Sequence, residues 1–454
     1  MTPPDAVDTP MTPPDDRVPG ETYALLEEAT PEERGAIVRR LVAAHPRGRL
    51  DLGARDGLRA ALRGMSLEGE SLGLAILAGA DLRDATLAGA TLGQANLQGA
   101  QLEQANLRDA DMAGADLRGA ALGEANLQGA LLEEADLRDA GLRFVDLRDA
   151  ALEGADLQRA DLWGATLEGA VLTNATLRDV RLGESFCRGA DFSGVDLGNA
   201  TLTKADLRGC TLNGADLCGA ALGGANLRDA DFTGAQLQDA DLSTCDITHV
   251  RLAGARLDRT RFEQGQLGGA IGEELAGDYA GARRGYLTLE RAFGDLGDPD
   301  AASWAYGKRR RMQKLAARER GRAAVTARAW RSALGGYLTY VSDQIAEWVC
   351  NYGDSIPRVL CSILAVYLLY IALYGLTGAV VRVGGAGGAG GRAPTGNLTD
   401  LAIFSLFAIT TSGSPSVGLA PRDEYVQLLT GSEAFLGIFL TGLLGFVAAN
   451  RIRR

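Results

Sequence analysis

The sequence has few of the residue types that most catalytic and metal sites use. Its 454 residues include two histidines, six cysteines and only 6% aromatic residues. His45 and His249 are isolated, and the cysteines form no CxxC pair and no Cys/His set with metal-site spacing. No paired carboxylates or Ser/His/Asp arrangement suggests catalysis. These absences predict that the chain is not an enzyme and needs no metal or cofactor.

The N-terminus lacks the basic start and the apolar run of a signal peptide. Residues 1–20 begin MTPPDAVDTPMTPPDD, which is acidic and rich in proline, so we expect a disordered segment there. Residues 21–65 contain helix signals, and Thr30-Pro31-Glu32-Glu33 is typical of a helix start. We therefore expect a helical cap ahead of the next domain.

A five-residue repeat fills residues 66–270. From Leu67 to Leu267, every fifth residue is Leu, Met, Phe, Ile or Cys, and from Leu77 onward the residue two places earlier is small, most often Ala. A period of five fits neither an α-helix nor a flat strand. A coil that turns a corner every five residues, with four corners per lap, directs both residues inward on every side.

The phrase AlaAsnLeuGlnGly (residues 95–99) recurs with small changes, and with it residues 66–270 closely resemble pentapeptide-repeat proteins. The resemblance implies a right-handed quadrilateral β-helix that acts as a scaffold, with a protein partner on one solenoid face. Some acidic members mimic duplex DNA and inhibit gyrase, and the acidic surplus keeps that alternative open. We expect no nucleic-acid partner. The acidic face is interrupted by outward arginines: Arg83, Arg108, Arg118, Arg138 and Arg148.

Three of the cysteines occupy inward positions of the repeat, where a thiol acts as a small apolar group: Cys187, Cys210 and Cys245. We expect them to be reduced in the cytoplasm.

Helical periodicity replaces the repeat at Gly272, so residues 271–356 are expected to be a cytoplasmic or interfacial helical linker. Its helices should break at residues 297–300, which read GDPD. The basic residues that follow favour contact with a lipid surface, and Tyr337, Tyr340 and Trp348 suit an interfacial helix.

Two apolar runs predict membrane spans within residues 357–454. Val359 to Val381 is long enough to cross a bilayer, and the run ending at Ala449 becomes a second span if it begins near Tyr425. Between them, Leu401 to Ile409 is too short to cross and predicts a re-entrant half-helix, capped by Thr399 or Asp400. Basic flanks predict a multi-pass plasma-membrane protein with both termini and the solenoid cytoplasmic.

Two spans around a half-helix and a Thr-Thr-x-Gly turn resemble the pore module of two-transmembrane potassium channels. Thr411 and Gly413 align with the first threonine and first glycine of the TVGYG filter, whereas Pro415 replaces its second glycine. Proline has a fixed φ and no N–H, so the outer half of a potassium filter should not form. The resemblance nominates Glu433 as a filter support and Gly437 as a gating hinge. The residues expected to line the pore are Thr410, Thr411, Ser412, Gly413 and Ser414.

One re-entrant loop per chain cannot enclose a conduit, so we expect a homotetramer that surrounds a path for monovalent cations. Selectivity for potassium is not expected. Two alternatives stay open: a non-conducting scaffold anchored in the membrane, and an acidic DNA mimic that inhibits gyrase.

Overall fold

The computed structural model describes the greater part of the chain and divides it into two units, Met1–Ala302 and Ser303–Arg454. The described residues are 26, 28–44, 50–53, 62–326, 330–350, 355–383, 392–410 and 419–453. The predicted disordered segment 1–20 lies outside them.

The five-residue repeat forms a solenoid whose main chain advances one lap every 20 residues. Parallel bridges join the residue before each inward Leu to its counterpart 20 positions later, as in Thr86↔Asn106 and Asn106↔Asn126. The Leu87 N–H donates to the Asn106 carbonyl at 2.7 Å, so each lap is bonded to the next.

The predicted inward positions are confirmed from Leu77 to Phe262, because Leu and the small residue two places earlier are buried there. This is the quadrilateral β-helix that the repeat implies. The predicted end of the repeat at residue 270 is wrong, because Gly265 is exposed and Gln264–Leu267 form a 3-10 helix.

Each corner of the solenoid needs a residue with positive φ, two places after the inward Leu. Glycine fills many corners, as at Gly99, and Asp, Asn, Glu or Gln fills most others, as at Asp109 and Asn174. Short polar side chains tolerate this left-handed conformation better than branched or bulky ones. The Ala90 N–H closes one such turn by donating to the Leu87 carbonyl at 3.0 Å.

Arginines on the outer surface pair with aspartates of the same pentad and of the next lap. In Asp-Leu-Arg pentads the Arg guanidinium donates to the Asp carboxylate, as from Arg118 Nε to Asp116 at 2.8 Å. Arg118 also lies 3.6 Å from Asp136, which pairs with Arg138 in turn. These hydrogen bonds to arginine hold the pKa of Asp116 and Asp136 below the ordinary value.

The predicted inward cysteines are buried: Cys187, Cys210 and Cys245. Burial raises the pKa of the Cys187 thiol to about 12 and that of Cys245 to about 11, so both thiols stay protonated and unreactive.

Helices cover both ends of the solenoid. Helix α1 (Pro31–Ala44) begins as predicted, with a capping box in which Thr30 and Glu33 each bond the other's backbone N–H. Beyond the last lap, the buried Glu273 carboxylate accepts the N–H groups of Leu252 at 2.8 Å and Ala253 at 2.7 Å. It thereby replaces the missing next lap.

The helices after the repeat are α2 (Gly272–Leu275), α3 (Tyr279–Asp295), α4 (Pro299–Thr326), α5 (Trp330–Cys350), α6 (Ile356–Thr377), α7 (Leu398–Thr410) and α8 (Glu424–Arg453). Strand β1 (Val380–Val383) lies between β2 (Arg392–Pro394) and β3 (Leu419–Pro421), antiparallel to both. The predicted break at residues 297–300 is confirmed, because α3 ends before it and α4 begins within it. In the second unit, α4 and α5 are joined by the ion pairs Arg310–Asp343 and Lys314–Glu347.

Two predictions about helix ends are wrong. The first apolar helix ends at Thr377 and not at Val381, because Gly378 adopts a left-handed conformation and Val380–Val383 pair in a sheet. Helix α7 is capped by Asn397 and not by Thr399 or Asp400. The Asn397 side chain accepts the Thr399 N–H at 3.1 Å, which leaves the Asp400 carboxylate for other partners.

Leu167→Ala should destabilise the solenoid by about 2–5 kcal/mol, because Leu167 is fully buried and the cavity cannot collapse in a rigid stack of laps. Urea unfolding followed by circular dichroism measures the change. The neighbouring Glu168→Ala is the control, since Glu168 is exposed. Equal unfolding midpoints for the two variants would contradict the assigned inward positions.

Arg138→Met should destabilise the solenoid at neutral pH and much less in acid, so the variant loses less stability than the unmodified protein as pH falls. Arg138 lowers the folded-state pKa of Asp136, so this stabilisation is present above the unfolded pKa of about 3.9 and is lost as pH falls through the lower folded value. Because both groups are partly exposed, we expect at most about 1 kcal/mol, measured by unfolding at pH 7 and at pH 2 to 3. Gln98→Met is the control, because Asn96 replaces the aspartate in its pentad. The same loss in both variants, at pH 7 and in acid, would contradict the assignment.

Candidate functional site

The candidate site is the packed junction of α6, α7 and α8. Its buried apolar core contains aromatic and aliphatic residues from all three helices and the sheet: Tyr370, Tyr374, Ala379, Val380, Leu401, Phe404, Leu419 and Val426. The Tyr374 ring meets Phe404 edge-on, with centroids 5.3 Å apart. The short helix α7 is therefore held against both long helices.

Glu433 lies at the centre of this junction and is fully buried. One of its carboxylate oxygens accepts the Tyr374 hydroxyl at 2.6 Å, and the other accepts the hydroxyl of the buried Ser405. A buried carboxylate is costly unless it is hydrogen-bonded, so these two donors are what make it tolerable. Since Tyr374, Ser405 and Glu433 belong to α6, α7 and α8 respectively, one side chain ties three helices together.

Two more tyrosines on α6 add polar contacts to this junction. The Tyr367 hydroxyl donates to the Ala402 carbonyl of α7 at 2.9 Å, and the Tyr370 hydroxyl lies 2.7 Å from the hydroxyl of Ser432 on α8. Sequence reasoning missed these residues and Ser405. The tyrosines could have been found from their spacing, because residues 367, 370 and 374 place three hydroxyls on one face of an otherwise apolar helix.

A second polar contact fixes the N-terminal end of α7. The Arg382 guanidinium, on β1, donates twice to the Asp400 carboxylate, at 2.7 and 2.8 Å, and the Thr395 hydroxyl also donates to it at 2.7 Å. A bidentate pair of this kind is geometrically specific. Helix α7 is thus anchored at its start by Asp400 and near its middle by Ser405.

The residues predicted for the site are placed as follows. Thr410 is the last residue of α7, is exposed, and donates its hydroxyl to the Leu406 carbonyl at 2.6 Å. The other predicted pore residues lie outside the described residues: Thr411, Ser412, Gly413 and Ser414. Glu433 lies inside α8, which begins at Glu424, next to the predicted start near Tyr425.

Gly437 was nominated as a gating hinge, and the structure gives glycine another reason to be there. A Cβ at this position would lie 2.1 Å from the Ile409 carbonyl oxygen, so α8 and the end of α7 touch through their backbones. Only glycine permits so close an approach.

Across the described residues, no group of three or more His, Cys, Asp or Glu side chains could hold a metal ion. Each Glu433 oxygen accepts one hydroxyl, from Tyr374 or from Ser405, so this carboxylate joins three helices.

The outer faces of α6 and α8 are apolar and uncovered. Both helices are long and apolar enough to cross a membrane: Ile356–Thr377 and Glu424–Ala449. Large side chains point away from the junction, among them Leu376, which is 86% exposed, and Phe435, which is 72% exposed. Contiguous apolar surface of this kind needs lipid or another subunit to cover it.

Two family models match the repeat. Residues 59–94, 87–122, 115–154 and 150–186 each match the model described as pentapeptide repeats (8 copies), and residues 187–262 match one described as a pentapeptide repeat region. No curated protein matches the chain.

Several solved structures are similar to the chain. HetL, a pentapeptide repeat protein involved in heterocyst differentiation regulation from the cyanobacterium Nostoc, is 32% identical over 50% of this chain and 91% of its own, with a TM-score of 0.28. QnrB1, a plasmid-mediated fluoroquinolone resistance protein, is 21% identical over 42% and 95%, with a TM-score of 0.25. A pentapeptide repeat protein from the Arabidopsis thaliana thylakoid lumen is 27% identical over 30% and 70%, with a TM-score of 0.15.

Gly437→Ala should loosen the three-helix junction, because its methyl group would overlap the Ile409 carbonyl and push α7 away from α8. We expect a loss of about 1–3 kcal/mol, measured as a lower unfolding temperature in detergent. Gly442→Ala is the control, since nothing lies within 4 Å of a Cβ there and alanine favours a helix. A Gly437→Ala variant as stable as Gly442→Ala would contradict the contact.

Proposed function

We propose, from the premise that this chain belongs to the pentapeptide-repeat family, that its solenoid is a cytoplasmic scaffold attached to a membrane module that conducts cations as a homo-oligomer. Helices α6 and α8 span the bilayer. Helix α7 enters it partway from the same side on which it begins.

The observation that carries this proposal is the buried Glu433 with its two hydroxyl donors. A re-entrant helix is tolerated at membrane depth only if protein or water covers its irregular end. Tyr374, Ser405 and Glu433 attach α7 to both long helices, so the end of α7 is held at a fixed depth. Intramembrane carboxylates are rare and usually functional. Here the carboxylate supports the backbone that leads into Thr410 and the predicted pore residues.

Oligomerisation follows from the exposed faces. A single copy leaves one side of α8 uncovered, with Phe435, Ile438 and Phe439 all exposed. Copies arranged around a common axis would cover part of this surface and bring several α7 ends together. We propose a homotetramer with a monovalent cation in the shared path. Proline at position 415 favours a path that does not select potassium.

The DNA-mimic alternative is disfavoured by the pairing of charges on the solenoid. A mimic of duplex DNA needs a regular array of unneutralised negative charge. Asp116 and Asp136, however, are each bonded to an arginine of their own pentad. A protein-binding scaffold suits a surface of paired charges better.

Full-length protein reconstituted in liposomes should pass monovalent cations, measured as dye-reported or isotope flux down a salt gradient. Thr411→Trp should abolish most of the flux, because a bulky ring would obstruct the path beyond α7. Leu376→Trp is the control, since that position is exposed on the outer side of α6. Flux unchanged in Thr411→Trp, or absent from the unmodified protein, would leave the non-conducting membrane scaffold as the better description.

A further inference from the structure

Arg143 is among the arginines of the solenoid that have no aspartate two residues earlier. In five pentads an Asp stands two residues before an Arg and pairs with it: Asp81–Arg83, Asp116–Arg118, Asp136–Arg138, Asp146–Arg148 and Asp206–Arg208. In Gly141-Leu142-Arg143, glycine takes the place of that aspartate. Within residues 62–326, no ion pair joins a carboxylate to the Arg143 guanidinium.

The Arg143 guanidinium lies on aromatic rings instead. It is 5.0 Å from the centroid of the Trp163 ring and 6.0 Å from that of Phe144. The two rings pack edge to face, with centroids 5.0 Å apart. Arginine and tryptophan in contact are typical of binding hot spots. We refer to Arg143, Phe144 and Trp163 as the aromatic patch.

The backbone of the aromatic patch is unusual for its fold. Phe144 occupies a corner with φ of 57°, where most other corners have glycine or a polar residue, and its side chain is 51% exposed. A bulky apolar residue in this conformation is a strained choice, and such strain is concentrated at functional positions. On the next lap, Gly164 leaves space for the ring, since a Cβ there would lie 2.7 Å from it.

A depression of about 330 Å³ adjoins the aromatic patch, lined by Arg143, Asp161, Trp163, Arg181, Gly183 and Thr201. Two guanidinium groups but only one carboxylate line the depression, so its net charge is positive. The Arg181 side chain is 71% exposed, and its ion pair with Asp161 is long, at 3.8 Å. Its guanidinium can therefore also contact an incoming anion. The depression thus offers an indole face beside positive charge on a solenoid that is otherwise acidic.

We propose that the aromatic patch and this depression bind the chain's own proline-rich N-terminal segment. That segment contains Thr-Pro-Pro-Asp twice, at residues 2–5 and 12–15, followed by Asp16. Proline-rich sequences are recognised by aromatic grooves because their extended conformation loses little entropy on binding. In this arrangement Pro13 and Pro14 pack on the rings, while Asp15 and Asp16 face Arg143 and Arg181.

The length of the segment allows it to reach the patch. Residue 26 is held at the first lap, because the Arg34 side chain donates to the carbonyls of both Leu26 and Arg63. Phe144 lies about four laps further along, which is about 19 Å at the spacing of strands in a sheet. The ten residue steps from Asp16 to Leu26 span about 31 Å when the chain is extended. The segment is therefore long enough to cross the face as well as to follow the axis.

The test is photo-cross-linking in the full-length protein in lipid nanodiscs, with benzoylphenylalanine placed at position 144. Irradiation should cross-link this residue to residues 1–20 within one chain, identified by mass spectrometry of the monomer-sized band. Arg143→Gln, or Asp15→Asn with Asp16→Asn, should reduce the yield severalfold, and added salt should do the same, because screening weakens exposed ion pairs.

The matched control is benzoylphenylalanine at position 186. Phe186 is also aromatic and is 52% exposed, but it lies at a different pentad position and has no part in the aromatic patch. A yield to residues 1–20 no higher at 144 than at 186 would overturn the proposal. So would a cross-link found only between two copies or only to another protein. None of these results depends on cation flux, so they leave the proposed pore unaffected.

Discussion

The structure depends first on hydrogen bonds between successive laps of the solenoid. Each lap donates to and accepts from its neighbours at intervals of about 20 residues, so repeated backbone hydrogen bonds join the laps on all four sides. This pairing is possible only if every fifth side chain is apolar and every corner accepts positive φ. The same constraint explains why the ends are capped, with Glu273 supplying acceptors where the next lap would have been.

In the second unit, buried polar groups are also paired, but they are surrounded by apolar side chains. In the helix junction, polar groups are few, and each carries more weight because water does not compete with it. Glu433 is paired with hydroxyls from two other helices, and Asp400 with the Arg382 guanidinium and the Thr395 hydroxyl. The short helix α7 is thus located by polar contacts, while the apolar faces of α6 and α8 remain available for lipid or for further copies.

Sequence periodicity predicted the solenoid well, because one period fixes which side chain points inward at every lap. It did not reveal the corner positions, since glycine, aspartate, asparagine and glutamate share no obvious property except tolerance of positive φ. The hydrogen bonds around Glu433 were still harder to predict from the sequence. Tyr374 and Ser405 lie 59 and 28 residues away in the chain, and nothing local in the sequence joins them. The end of α6 was misplaced because Val380 and Val381 are as apolar as the helix before them, although they belong to a strand.

The lap of twenty residues limits how such a chain can change in length. A gain or loss of five residues would shift every later pentad to the neighbouring side of the solenoid, a quarter of a turn from its present position. The columns of paired Asp and Arg would then be cut, and Phe144 would no longer lie above Gly164. Only whole laps can be added without disturbing these alignments, so a solenoid of this type is expected to lengthen in increments of four pentads.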